Sequence, residues 1–203
     1  MSTVRVAFAE ARIFWSRLFA VALLLFIAVS APPWGEATFA ALGVEIVGFV
    51  LLAAATLGRL WCAAYIAGVK DSVLVQDGPY SVVRNPLYVA NFFGGVGFGL
   101  AAENLVATGV IFVLFAVFYP AVVASEEKRL LAKFGDTYAN YCRAVPRWFP
   151  NLSLFHEPAE RVVRPRLLRR AYVNAMWFMW AFLLWEIIER LQVIGWLPVF
   201  WHG

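Results

Sequence analysis

The chain has 203 residues, 63% of them hydrophobic and 15% charged, with a mean hydropathy of +0.73. A soluble domain is about half apolar and a quarter charged, so an ordinary water-soluble globule is excluded. The formal charge of +4 does not mark a nucleic-acid partner, because the basic residues flank apolar segments instead of forming a stripe on a soluble face.

The first apolar run, Ile13 to Ser30, follows Arg5, Arg12 and Arg17. Ser30-Ala31-Pro32-Pro33 is a poor cleavage site, so this run is expected to be a retained first helix. Four further spans are expected: Phe39 to Leu57 with an extension to Ile66, Leu87 to Ala101, Leu105 to Val123, and Ala171 to Ile194. The third is short, and Gly94, Gly95, Gly97 and Gly99 are expected to let a neighbouring backbone come close. Unpaired backbone groups are costly in lipid. The fold class is therefore all-α, a polytopic transmembrane bundle of about five spans.

Loop charge sets the expected orientation. Lys and Arg collect before the first span, between the second and third (Arg59, Lys70, Arg84), and between the fourth and fifth (Lys128 to Arg170), whereas the opposite loops carry Glu36 and Glu103 and no Lys or Arg. The positive-inside rule then puts the N-terminus in the cytoplasm and the C-terminus on the other side, in a membrane expected to be a bacterial inner membrane. Trp196, Phe200 and Trp201 would form the outer aromatic belt.

Leu130, Leu131, Phe134, Tyr138, Tyr141, Cys142 and Val145 recur near helical spacing among charged residues. They read as a pair of amphipathic helices on the cytoplasmic face, broken near Gly135-Asp136. Residues 151–170, rich in arginine with Pro158 and Pro165, read as a basic surface linker within reach of anionic head groups. One domain is expected over residues 1–203, with a core at about 68–150 and a C-terminal helix at 171–194.

Two polar concentrations, Lys70 to Tyr88 and Ser125 to Arg147, fall on the same side in this topology and predict a shared site. Cys62 and Cys142 form no CxxC or Cys/His cluster and read as ordinary thiols, while His156 and His202 lack ligand spacing, so no metal site is expected. Glu45 lies inside the second span with Arg59 as an available partner, and Glu186 and Arg190 have the spacing of a helical i, i+4 pair. These are left outside the site.

The ordered blocks GPYSVVRNPLYV at Gly78 to Val89 and EEKRLLAKFGDTYANYCRAVPRWFP at Glu126 to Pro150 resemble the isoprenylcysteine carboxyl methyltransferase and phospholipid methyltransferase superfamily of membrane enzymes. The resemblance covers a little under half the chain and rests on GPY, RxPxY, EE, FGxxYxxY and VPR in that order. It implies a pocket for S-adenosylmethionine, which leaves as S-adenosylhomocysteine. Carried over by position, Ser72, Val73, Leu74 and Val75 match the stretch whose backbone lines the adenosine, and Tyr80 matches an aromatic contact. Arg84, Asn85, Pro86, Leu87 and Tyr88 match the cofactor segment. Glu126 and Glu127 match the acidic pair near the methionine moiety and the acceptor, and are the catalytic candidates, with Glu127 also a cofactor contact. Arg147 is open between the cofactor and phospholipid head groups.

Two departures bear on the acceptor. Asn85 stands where the carboxyl methyltransferases have His, and Val122 where the prenylcysteine enzymes have an Arg one turn before the acidic pair. Both move the expectation from a prenylcysteine towards another lipophilic acceptor: a phospholipid amine, an isoprenoid carboxylate or a thiol. The competing classes are an NADPH-dependent membrane reductase of the sterol-reductase type and a non-catalytic lipid-binding protein. The acidic pair and the lack of a basic cluster for a 2′-phosphate argue against the first, and the second leaves the polar combination unexplained.

Overall fold

The computed structural model describes residues 30–31, 38–69, 72–198 and 201–202. The expected first span, 13–30, lies almost wholly outside them. Within them the elements are α1 (Phe39–Ile66), α2 (Pro79–Val82), α3 (Pro86–Ala101), α4 (Leu105–Phe134), α5 (Asp136–Ala144), a 3₁₀ turn (Leu152–Leu154), α6 (Pro165–Ala175) and α7 (Trp177–Val193). A two-residue parallel pairing joins β1 (Ser30–Ala31) to β2 (Trp201–His202).

Helix α1 begins at Thr38, whose hydroxyl accepts from Ala41 N at 3.1 Å. It packs closely along α3 because the contact is made by residues without side chains. A Cβ on Gly48 would sit 2.2 Å from Ala101 N, and one on Gly97 would sit 2.8 Å from Gly48 O and from Leu52 N. Of the four glycines expected to admit a backbone, Gly97 admits α1 and Gly99 admits Thr108 of α4. Gly94 and Gly95 instead make room for the side chains of Phe178 and Ile111. This small-residue seam is how helices approach where lipid removes any hydrophobic gain from association.

The turn from α3 to α4 takes three residues, with Glu103 at φ +51° and the Asn104 side chain accepting from Ala107 N at 2.8 Å. Helix α4 then runs for 30 residues and does not stop at Val123. At about 1.5 Å per residue it spans roughly 45 Å, against about 30 Å of hydrocarbon, so the first helix of the expected surface pair is the projecting end of a membrane helix. The predicted break is present at Gly135, where φ is +52° and α5 begins. The expected fifth span is likewise longer and divided: Pro165–Val193 is apolar and long enough to cross, but α6 and α7 meet at Met176. The last part of the linker, 165–170, is therefore helical.

Three helical segments, Phe39–Ile66, Leu105–Phe134 and Pro165–Val193, are long and apolar enough to cross a membrane, with Pro86–Ala101 a shorter apolar helix beside them. Leu52, Phe98, Ala107, Ala181 and Trp185 form the buried core between α1, α3, α4 and α7. Large apolar side chains such as Ile46, Val50, Phe112, Val117 and Leu184 stay exposed on the outside, where hydrocarbon is the solvent that suits them. Arg59 does not pair with Glu45. Its Nη1 donates to Asn91 Oδ1, its Nη2 to Asn174 O at 3.2 Å, and it lies 5.4 Å over the Phe178 ring. No ion pair forms between Glu186 and Arg190.

Candidate active site

The site is assembled at the end of the bundle where α3 starts and α4 projects. Gly78 opens the GPY turn at φ +59°, with the ring of Tyr65 against it where a Cβ would lie. Pro79 then starts the single turn of α2, Val83 is extended, and Pro86 occupies the first turn of α3, the place where its missing N–H costs nothing. Asn85 precedes α3 but makes no side-chain cap; its Nδ2 donates to Arg147 O at 3.2 Å instead. Arg84 N donates to Pro146 O at 2.8 Å, and Asn151 N to Val82 O at 2.9 Å. The RNP segment is thereby laced to the VPR segment, more than sixty residues on.

That lacing fixes the charged groups. Glu127 stands between two guanidinium groups, with Arg84 Nη1 3.2 Å from Oε1 and Arg147 Nη2 3.0 Å from Oε2. Tyr88, on the first turn of α3, donates to Glu126 Oε2 at 2.7 Å, and Arg129 lies 3.4 Å from Oε1 of the same carboxylate. The acidic pair is therefore divided: Glu127 belongs to the two arginines and Glu126 to a phenol and one arginine. Below them the Tyr88 ring meets Tyr119 edge-on at 5.3 Å, and Tyr119 stacks on Phe115 at 3.9 Å.

Of the remaining sequence candidates, Leu74, Val75, Tyr80 and Leu87 reach this end by packing, and Ser72 and Val73 do not. Ser72 bonds Val69 O at 2.7 Å and Val73 is exposed. Leu74 packs on Tyr138, Tyr141 and Val145, and Val75 is buried with Tyr80 and Cys62, Leu87 lying against the same group. The Tyr80 carbonyl accepts from Tyr141 OH at 2.7 Å. Burial pushes the phenols of Tyr80, Tyr138 and Tyr141 above their ordinary value, Arg84 working against it at the last two.

Arg147, left open by the sequence, bonds Glu127. Sequence reasoning missed Arg129 and the strap 151–161. The strap closes over the GPY turn: Gly78 N donates to His156 O at 2.8 Å, His156 N to Ser81 Oγ at 3.2 Å, and Tyr65 OH to Glu157 Oε2 at 3.0 Å. Only Asp77, a carboxylate one residue before the turn, could have pointed to it, because Arg161 pairs there.

Arg84 Nε, Arg147 Nε and Glu127 Oε1 are buried without a hydrogen-bond partner. Buried donors and acceptors are rarely left so. Two arginine Nε donors without partners, beside a carboxylate already shared by both guanidinium groups, offer charge-assisted contacts to an anion such as the carboxylate of the methionine part of S-adenosylmethionine. The residues present fit that group.

The bundle thus brings the divided acidic pair and its arginines together at one end of its apolar helices. The family description "Phospholipid methyltransferase" matches residues 39–137. The chain is 35% identical over 180 residues, 89% of its length and 84% of the relative's, to the nickel-cobalt-cadmium resistance protein NccN of Alcaligenes xylosoxydans xylosoxydans. It is 41% identical over 132 residues, 65% of this chain and 61% of the other, to the cobalt-zinc-cadmium resistance protein CzcN of Cupriavidus metallidurans. It is 36% identical over 81 residues, 40% of this chain and 34% of the other, to the protein-S-isoprenylcysteine O-methyltransferase of Schizosaccharomyces pombe. The chain belongs to the isoprenylcysteine carboxyl methyltransferase and phospholipid methyltransferase superfamily. No solved structure gives a significant match.

Proposed function

We propose that this chain transfers a methyl group from S-adenosylmethionine to a lipophilic acceptor at the cytoplasmic face of the membrane. The observation that carries the reading is Glu127 held between Arg84 and Arg147, each arginine keeping a buried Nε without a partner. Bound S-adenosylmethionine supplies an electrophilic methyl on a sulfonium sulfur. Arg84 and Arg147 hold a carboxylate, Glu127 an ammonium, and the uncapped start of α3 adds a partial positive charge beside them. Methyl transfer is an in-line displacement, so fixing the angle of approach and excluding water carry most of the catalysis. Glu126, which accepts from Tyr88 OH, takes up the proton that an amine acceptor releases. A carboxylate acceptor has none to release.

The resistance named in two relatives fits this chemistry. Methylating a carboxylate, amine or thiol removes or weakens a metal ligand. Among the described residues no group of three or more His, Cys, Asp and Glu side chains could hold a metal ion.

Calorimetric titration of the purified protein with S-adenosylmethionine, S-adenosylhomocysteine and NADPH tests the reading. Binding of the first two and not the third is expected. A folded preparation that binds neither overturns it, and binding of NADPH alone would make the chain a reductase.

A further inference from the structure

The basic segment from Arg161 onward has two unlike parts. Arg161 is fully engaged: Nη1 lies 3.3 Å from Asp77 Oδ2, Nη2 donates to Tyr65 O at 2.7 Å, and the guanidinium lies 4.9 Å over the Tyr65 ring. A few residues on, Arg164, Arg166 and Arg170 line a cleft of about 620 Å³ with Val163, Pro165 and Leu167. Among the described residues no carboxylate lies within ion-pair distance of these three arginines. The cleft lining is largely apolar, and the three exposed arginines that border it give it a positive charge that no carboxylate among the described residues neutralises.

The cleft is set by the packing of the chain. Gly68, at φ +86°, ends the α1 region, and a Cβ there would meet Leu167 Cδ1 at 2.8 Å and Arg164 Cδ at 3.0 Å. The arginine-bearing start of α6 is therefore seated directly on α1. Its depth follows from length. Pro165–Val193 has 29 residues, roughly 43 Å of helix against about 30 Å of hydrocarbon, and the surplus falls on α6, where the arginines are. A cleft at the start of a membrane-crossing segment suits a lipid phosphate, with a largely apolar lining for acyl chain and bordering arginines for the head group.

We propose that this cleft binds the phosphate head group of an anionic phospholipid, at a site separate from Glu126 and Glu127. Guanidinium forks take a phosphate's oxygens in pairs, and a basic pocket beside a membrane helix is where such a lipid is held. The site requires no methyl transfer, so it stands or falls apart from the activity.

The full chain is reconstituted in nanodiscs of phosphatidylcholine with phosphatidylglycerol, and native mass spectrometry counts the phosphatidylglycerol retained against exchange. Wild type is expected to keep it, and Arg166→Gln/Arg170→Gln to retain roughly tenfold less, with S-adenosylhomocysteine affinity unchanged in both. Equal retention by the double variant overturns the proposal. Displacement of the lipid by inorganic phosphate at equal concentration also overturns it, because the cleft would then be a site for soluble anions. If the double variant fails to fold, titration of wild type with short-chain phosphatidylglycerol decides, and the absence of saturable binding refutes the site.

Discussion

Glu127 is the residue on which the proposed chemistry turns. Glu127→Gln keeps the shape and removes the charge, leaving Arg84 and Arg147 facing each other. The side chains are partly solvated, 19% exposed for Glu127, so screening holds the loss of stability to about 1–2 kcal/mol. Affinity for S-adenosylhomocysteine should fall more, by roughly tenfold or greater, as one charge-assisted contact is lost. Calorimetry beside thermal unfolding separates the two, and unchanged affinity with lowered stability would assign Glu127 to structure alone. Tyr88→Phe tests the other carboxylate. Losing its 2.7 Å bond to Glu126 should slow turnover roughly tenfold while leaving S-adenosylhomocysteine binding in place. These carboxylates were legible as an EE pair, but their separate partners were not. No spacing rule couples Arg84 to Pro146, and the fate of Arg147 depends on the turn made by Val145 and Pro146 after α5.

At the level of the element, the sequence was read correctly where a helix is decided locally and wrongly where it is decided by what precedes it. Gly135 ends α4 because its φ of +52° suits glycine. The start of the expected surface helix had no such signal, since Glu126 to Leu131 are good helix formers that simply prolong α4. The α1–α3 seam gives a direct test. Gly48→Ala puts a methyl into the backbone of α3 at Ala101, and the helices must separate to accept it. Thermal stability in detergent should drop by about 1–3 kcal/mol, while Gly43→Ala, inside α1 with nothing near its Cβ, should not lower it and should raise it by up to about 1 kcal/mol. The tyrosines around α5 give a pH test. Tyr80, Tyr138 and Tyr141 are held above the ordinary phenol value by burial. Their protonated form is favoured by folding, so that stability is complete below about pH 10 and is lost as the pH rises beyond it. Tyr141→Phe should be less stable at neutral pH, lacking the bond to Tyr80 O, and should show a shallower alkaline loss.

Across the whole molecule, two ends are distinct. At one end lie the α1 terminus, the GPY turn, the divided carboxylates, the strap and the arginine cleft. At the other lie Thr38, the Glu103 turn and the far end of α7, where β1 pairs with β2 and brings Ser30 opposite Trp201. That pairing brings residues 30–31 and 201–202 together at the same end. It is a consequence no local pattern announces. Which end faces the cytoplasm is settled by labelling. With Cys142 replaced by serine and the buried Cys62 left in place, Glu160→Cys on the exposed strap and Glu103→Cys at the opposite turn report the two ends separately. An impermeant maleimide added to intact cells should modify Glu103→Cys only, and inverted vesicles should expose Glu160→Cys. The reverse pattern would put the carboxylates on the side where S-adenosylmethionine is not made, and the proposed methyl transfer would lose its donor.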